Sequence, residues 1–86
     1  MRDLKYVIVQ SSGRTAPVAI LFNGMINHCD MVPKGFNVWS AGFCTIRPTV
    51  ISFDITVFGS SSSLKLNARI EDGDIIRKTL ERTNIF

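Results

Sequence analysis

From Ile51 to Val57 apolar and polar residues alternate without a break: Ile51, Phe53, Ile55 and Val57 against Ser52, Asp54 and Thr56. Side chains along a strand point to opposite faces with a period of two. Residues 50–58 are therefore predicted to form a strand with Ile51, Phe53, Ile55 and Val57 turned inward and Asp54 and Thr56 facing water. Residues 4–10 are rich in β-branched side chains and also read as a strand. The cluster Ser11-Ser12-Gly13-Arg14-Thr15 has hairpin-loop composition and length. Pro17 opens the next apolar run, where a missing N–H is tolerated at a strand start or edge, and residues 16–22 complete a hairpin.

Residues 36–46 give a third strand whose two sets are both partly apolar: Val38, Ser40, Gly42, Cys44 and Ile46 on one side, Trp39, Ala41, Phe43 and Thr45 on the other. Such a strand is either central, with cover on both faces, or in contact with a partner. Gly42 is expected to mark a bulge or a close backbone approach. Arg47-Pro48-Thr49 reads as a turn, and Ser60–Ser63 with Gly59 as a hairpin loop. Leu64-Lys65-Leu66 alternates like a short fifth strand at an edge, where Lys65 would discourage sheet-to-sheet pairing.

Two segments carry helical spacing. Met25, Ile26, Cys29 and Val32 share a face if residues 25–31 form two turns, with Asn23 as cap and Pro33 and Gly35 as stop. Residues 69–83 predict a longer helix with Ile75, Ile76, Thr79 and Leu80 inward. Its acids, Glu71, Asp72 and Asp74, precede its bases, Arg77, Lys78 and Arg82, as the helix dipole favours. Asp74–Lys78 and Arg77–Glu81 have i,i+4 spacing. Ile85 and Phe86 are expected to pack back on the sheet. The order is ββαβββα. The fold class is α+β: an antiparallel sheet of four to five strands packed against the C-terminal helix and one short helix, as a single domain over residues 1–86.

Composition narrows the function classes. With 86 residues, 45% of them hydrophobic, the chain is one folded domain with a modest core, and some apolar surface is expected to stay exposed. That favours self-association, so a homodimer is one expectation. The net charge of +3 comes from bases scattered along the chain rather than from a stripe, which places nucleic acid behind protein as a partner. The apolar run Tyr6-Val7-Ile8-Val9 is too short for a signal peptide, and no run approaches a membrane span. These features read as cytoplasmic. Cys29 and Cys44 are then expected to be reduced and buried; a disulfide between them is the alternative, and it needs a Cα separation below roughly 7 Å that a sequence does not reveal.

Candidate chemistry is sparse. His28 is the only histidine. Its neighbour Cys29 points elsewhere on a helix, which leaves Cys44 across the fold as the alternative thiol for a nucleophilic pair. The expected role of His28 is a polar residue at a helix surface or one that orients a loop. Two cysteines, one histidine and Asp30 lack the spacing of a zinc site, and the six glycines match no phosphate loop. Glu71, Asp72 and Asp74 are read as dipole complements. No catalytic residue and no cofactor are assigned. Trp39, near Phe36 and Phe43, is either core or, if uncovered, an anchor for a protein partner. A base-stacking role beside Arg47 lacks the accompanying Lys/Arg-Gly-Phe-type sheet motif.

The segments Ala19-Ile20-Leu21-Phe22, Asn27-His28-Cys29-Asp30-Met31 and Val38-Trp39-Ser40-Ala41-Gly42-Phe43 resemble small accessory proteins encoded by bacteriophages and prophages. Phe58-Gly59-Ser60-Ser61-Ser62-Ser63-Leu64 and Arg69-Ile70-Glu71-Asp72 extend the resemblance over most of the chain. It implies a protein that acts by binding, on a host protein or defence complex, and carries over no functional residue. The reading is a non-enzymatic protein-binding module with Trp39, Phe43, His28 and Asp30 as candidate contacts. The alternative is a small nucleic-acid-binding regulator using Arg77, Lys78 and Arg82.

Overall fold

A computed structural model of the chain describes residues 3–11 and 15–83. The expected loop positions Ser12, Gly13 and Arg14, and the packing of Ile85 and Phe86, lie outside the described residues. Four antiparallel strands form the main sheet: β1 (Asp3–Gln10), β2 (Val18–Phe22), β3 (Asn37–Pro48) and β4 (Phe53–Phe58), in the order β2-β1-β3-β4. A separate two-stranded sheet pairs β5 (Ser60–Ser61) with β6 (Leu66–Asn67). The C-terminal helix α1 (Asp72–Thr83) closes the α+β fold.

β1 is hydrogen-bonded to β2 on one side and β3 on the other, and its successive side chains alternate between the two faces of the sheet. Tyr6, Val7, Ile8 and Val9 are all fully buried, which explains four consecutive residues without a water-facing position. On one face Tyr6, Ile8, Ala19 and Cys44 pack with Ile76 of α1, flanked by half-buried Ile55, Val57, Ile75 and Leu80. On the other, Val7, Val9, Phe22 and Ala41 lie under Met31, Val32, Phe36, Leu64 and Leu66. The third strand is thus central and covered on both sides, and the predicted hairpin is the β1–β2 pair.

Two expectations about β3 change in detail. It runs on through Arg47 and Pro48, so the turn comes later, at residues 49–52. Its partners on β1 step from Ile8↔Ser40 to Val9↔Val38, skipping Trp39. This bulge sets two residues against Ile8 and moves Trp39 to the Ser40 side, while Val38 joins Ala41. Gly42 marks a close approach: a Cβ there would stand 2.8 Å from the Phe58 carbonyl oxygen and 2.9 Å from the Ala68 Cβ.

The short helix differs more. Residues 28–31 form a single 3-10 turn, and the face expected from Met25, Ile26 and Cys29 is exposed. Only nine residues, 24–32, lie between Asn23 and the Pro-Lys-Gly stop, too few to repay helix nucleation. Asn23 instead accepts the Met25 N–H on its side chain (2.7 Å), making a tight polar turn. Leu64 and Lys65 belong to the turn before β6, with Lys65 at φ 58°, so they add no fifth strand to the main sheet. On β4, Asp54 and Thr56 face water and Phe53, Ile55 and Val57 face in, but Ile51 stands in the turn and is 93% exposed. Arg77 pairs with Asp74 (2.8 Å), and Glu81 accepts the Ser52 hydroxyl, in place of an Arg77–Glu81 pair.

Candidate functional site

On the helix side of the sheet the buried polar groups converge on one carboxylate. Asp72 opens α1 on the same stripe as Ile76, four residues on, so the helix turns it toward the sheet. It is fully buried. One oxygen accepts the Tyr6 hydroxyl (2.6 Å) and the Arg69 backbone N–H (2.9 Å). The other accepts the Ser40 hydroxyl (2.8 Å) and the Arg69 guanidinium through Nε (3.2 Å) and Nη2 (3.0 Å). A buried charge is tolerable only when paired and saturated with hydrogen bonds in this way. The guanidinium also lies 5.5 Å from the Trp39 ring centre, a cation–π distance that the bulge makes available.

This cluster is a latch that ties the helix to the sheet. Burial, and then the hydrogen bond to Asp72, push the Tyr6 phenol far above its ordinary value, so it stays a proton donor. Every side-chain polar atom buried in the described residues has a partner. Cys44 is buried on the helix-facing side of the sheet; burial, with a smaller contribution from Asp3, pushes its thiol up to about 11. At neutral pH it is a weak nucleophile.

His28 sits on the opposite side of the sheet from Cys44. It is 4% exposed, bonded through Nε2 to the Gly42 carbonyl oxygen (2.8 Å), and set edge-on to Phe22 (5.5 Å) and Phe43 (5.7 Å). Its expected place on a helix surface is corrected: the 3-10 turn faces the sheet and carries the ring inward, where it offers no contact surface. Phe43 is half-buried and stacks on Phe58 (5.9 Å), with the Lys5 ammonium 5.9 Å from its ring centre. The structure therefore joins His28 and Phe43 and leaves Trp39, 41% exposed, on the helix face with its Nε1 donating to Gln10 (3.2 Å). Asp30 is exposed, with the Cys29 thiol 3.9 Å away. Cys29 is free and exposed, against the expectation of two buried thiols.

Of the candidate basic residues, Arg77 is held by Asp74, while Lys78 and Arg82 flank a small groove with Pro17 and Ile75. No group of three His, Cys, Asp or Glu suited to a metal occurs among the described residues. Within them no helix is long and apolar enough to cross a membrane.

Apart from Met25, beyond β2, the most exposed apolar residues lie around β4. Val50, Ile51 and Ile70 are each at least 93% exposed. One groove, of about 530 Å³, runs between β4 and the start of α1, with Phe53, Ile55 and Ile70 as apolar walls and Asp54, Glu71, Asp74 and Arg77 as its charges. A second, of about 550 Å³, lies around the β3–β4 turn and shares Phe53 with the first. Comparison with known proteins finds no matching family model, curated protein or solved structure.

Proposed function

We propose that the chain is a small non-enzymatic protein-binding module whose contact surface is built around β4 and the β3–β4 turn. The observation that carries this reading is the turn itself. Thr49 N–H donates to the Ser52 carbonyl oxygen (2.9 Å), and Ser52 N–H to the Thr49 hydroxyl (3.0 Å), leaving Val50 and Ile51 alone at the tip. Two-residue hairpin tips ordinarily carry Asn, Asp or Gly. Two β-branched apolar side chains there contribute nothing to the core and expose surface that a partner would cover. The polar groups with reactive potential, meanwhile, serve the fold: Tyr6, Ser40 and Asp72 in the latch, His28 on the Gly42 carbonyl, Cys44 in the core.

A cytoplasmic setting accords with the two free thiols. The resemblance to phage-encoded accessory proteins supports a host protein or defence complex as the target. Nucleic acid is the weaker reading, since Arg47, Arg69 and Arg77 are already tied to carboxylates. The test is affinity capture from lysate of the native cell, with and without nuclease, using the chain and its Val50→Ser/Ile51→Ser variant. Protein retained through nuclease treatment and lost with the variant supports the reading. Retention of nothing, or retention that nuclease abolishes, refutes it.

A further inference from the structure

The chain guards one edge of its sheet and leaves the other open. At the β2 edge Pro17 has no N–H, and the outward Ala19 N–H donates to the Thr79 hydroxyl of α1 (3.2 Å). That is how exposed edges are normally blunted. The β4 edge has neither device: Phe53–Phe58 contains no proline and no cation.

The hydrogen-bond parity of β4 follows from its hairpin. Bonded and non-bonded pairs alternate along an antiparallel ladder. The Thr49–Ser52 bond makes the next pair, Pro48↔Phe53, non-bonded, as Pro48 requires, and Ile46↔Ile55 and Cys44↔Val57 fall in the same class. Ile55 and Val57 thus turn their backbone N–H and C=O away from β3, toward the free edge, where they have no partner among the described residues. The groove of about 530 Å³ lies along this edge, since Ile55 and Asp54, which face opposite sides of the sheet, both line it. The start of α1 forms its other wall: a Cβ on Gly73 would stand 3.6 Å from the Ile55 carbonyl oxygen, an ordinary contact distance.

We propose that this edge takes up an extended segment of a partner protein as an added strand, one that alternates apolar residues lying over Ile55 and Ile70 with a basic residue opposite Asp54. The proposal rests on the binding-module reading and specifies its partner. Backbone pairing supplies the attachment and alternate side chains the selectivity. The charge follows from the lining, in which three carboxylates, Asp54, Glu71 and Asp74, outnumber the single guanidinium of Arg77. Arg47, Arg69 and Arg77 each pair with one of these carboxylates, but these are solvent-exposed pairs of small worth that an incoming base can join. A second copy of β4 would bring another Asp54 and no cation, and a nucleic acid would bring phosphates, so neither suits the groove. Cross-strand neighbours of opposite charge favour pairing and like charges oppose it.

The probe is an acetylated and amidated heptapeptide of alternating valine and lysine, titrated into the isotope-labelled full chain by NMR. A valine–glutamate peptide is the control. The expected result is shifts at Ile55, Val57 and residues 70–73, at least tenfold slower amide exchange at Ile55 and Val57, and at least tenfold weaker binding of the glutamate peptide. Ile70→Lys, at a fully exposed position, should weaken binding tenfold or more, while Met25→Ser, also exposed but outside the groove lining, should leave it unchanged. No shifts at millimolar peptide, shifts mapping elsewhere, or equal binding of both peptides would overturn the proposal. If the peptide fails while Val50→Ser/Ile51→Ser still abolishes protein capture, the edge is excluded and the binding-module reading stands.

Discussion

Removing the Tyr6 hydroxyl tests whether the buried latch holds α1 on the sheet. In Tyr6→Phe the ring keeps its place in the core, while Asp72 loses a 2.6 Å hydrogen bond in a fully buried site. A hydrogen bond to a charged group contributes about 1.5–3 kcal/mol. Asp72→Ala removes more, because the Tyr6 and Ser40 hydroxyls and the Arg69 guanidinium all lose their acceptor. Breaking a buried charge pair from one side costs about 3–5 kcal/mol. A chain of this length has a total stability of roughly 4–13 kcal/mol, so Asp72→Ala removes a large part of it. Tyr6→Phe should lower Tm by on the order of 10 °C. Urea unfolding followed by the fluorescence of Trp39, the only tryptophan, reads both variants. The double variant should be less destabilised than the sum of the two, because both remove the same bond. A Tyr6→Phe stability within about 0.5 kcal/mol of the parent, the scatter of ordinary surface changes, would refute the latch.

Three further outcomes follow from particular contacts. Gly42→Ala places a Cβ 2.8 Å from a backbone oxygen and should destabilise by about 1–3 kcal/mol in the same urea assay. In native protein a thiol-reactive dye should label Cys29 rapidly and Cys44 only after unfolding, as counted by mass spectrometry. Stability should also fall at high pH. The unfolded Cys44 thiol ionises near 9.0 and the folded one near 11, so the stabilisation from its neutral form is full below pH 9 and is lost as pH rises through 11. The slope in that window is at most about 1.4 kcal/mol per pH unit from this group. Tyr6, also raised on folding, acts in the same direction, and Cys44→Ala should remove the cysteine part alone.

The elements legible in the sequence were those whose burial is one-sided and periodic. Alternation placed β4, with Asp54 and Thr56 outward, and helical spacing placed the Ile75, Ile76 and Leu80 stripe of α1. What alternation could not show is where a turn takes over, so Ile51 fitted the pattern yet stands in solvent. The bulge at Trp39 arises from pairing with β1, a long-range register that no local window contains. His28 was misplaced because the segment around it is too short to be a helix and takes its conformation from the sheet it covers. Asp72 had a signal that was passed over: it lies four residues before Ile76, on the buried stripe, where a dipole complement has no reason to be. The chemistry-bearing residues singled out in advance were mostly interior. The exposed apolar residues that now define the candidate surface, Val50, Ile51 and Ile70, had no motif to announce them.

The most direct test compares two variants of the chain for binding to a protein it captures. Cys29→Ser alters the exposed thiol, and Val50→Ser/Ile51→Ser/Ile70→Lys alters only exposed apolar surface. Measured by calorimetry, the first should bind as the parent does and the second at least tenfold more weakly. Loss of binding with Cys29→Ser, together with full binding by the surface variant, would contradict the account.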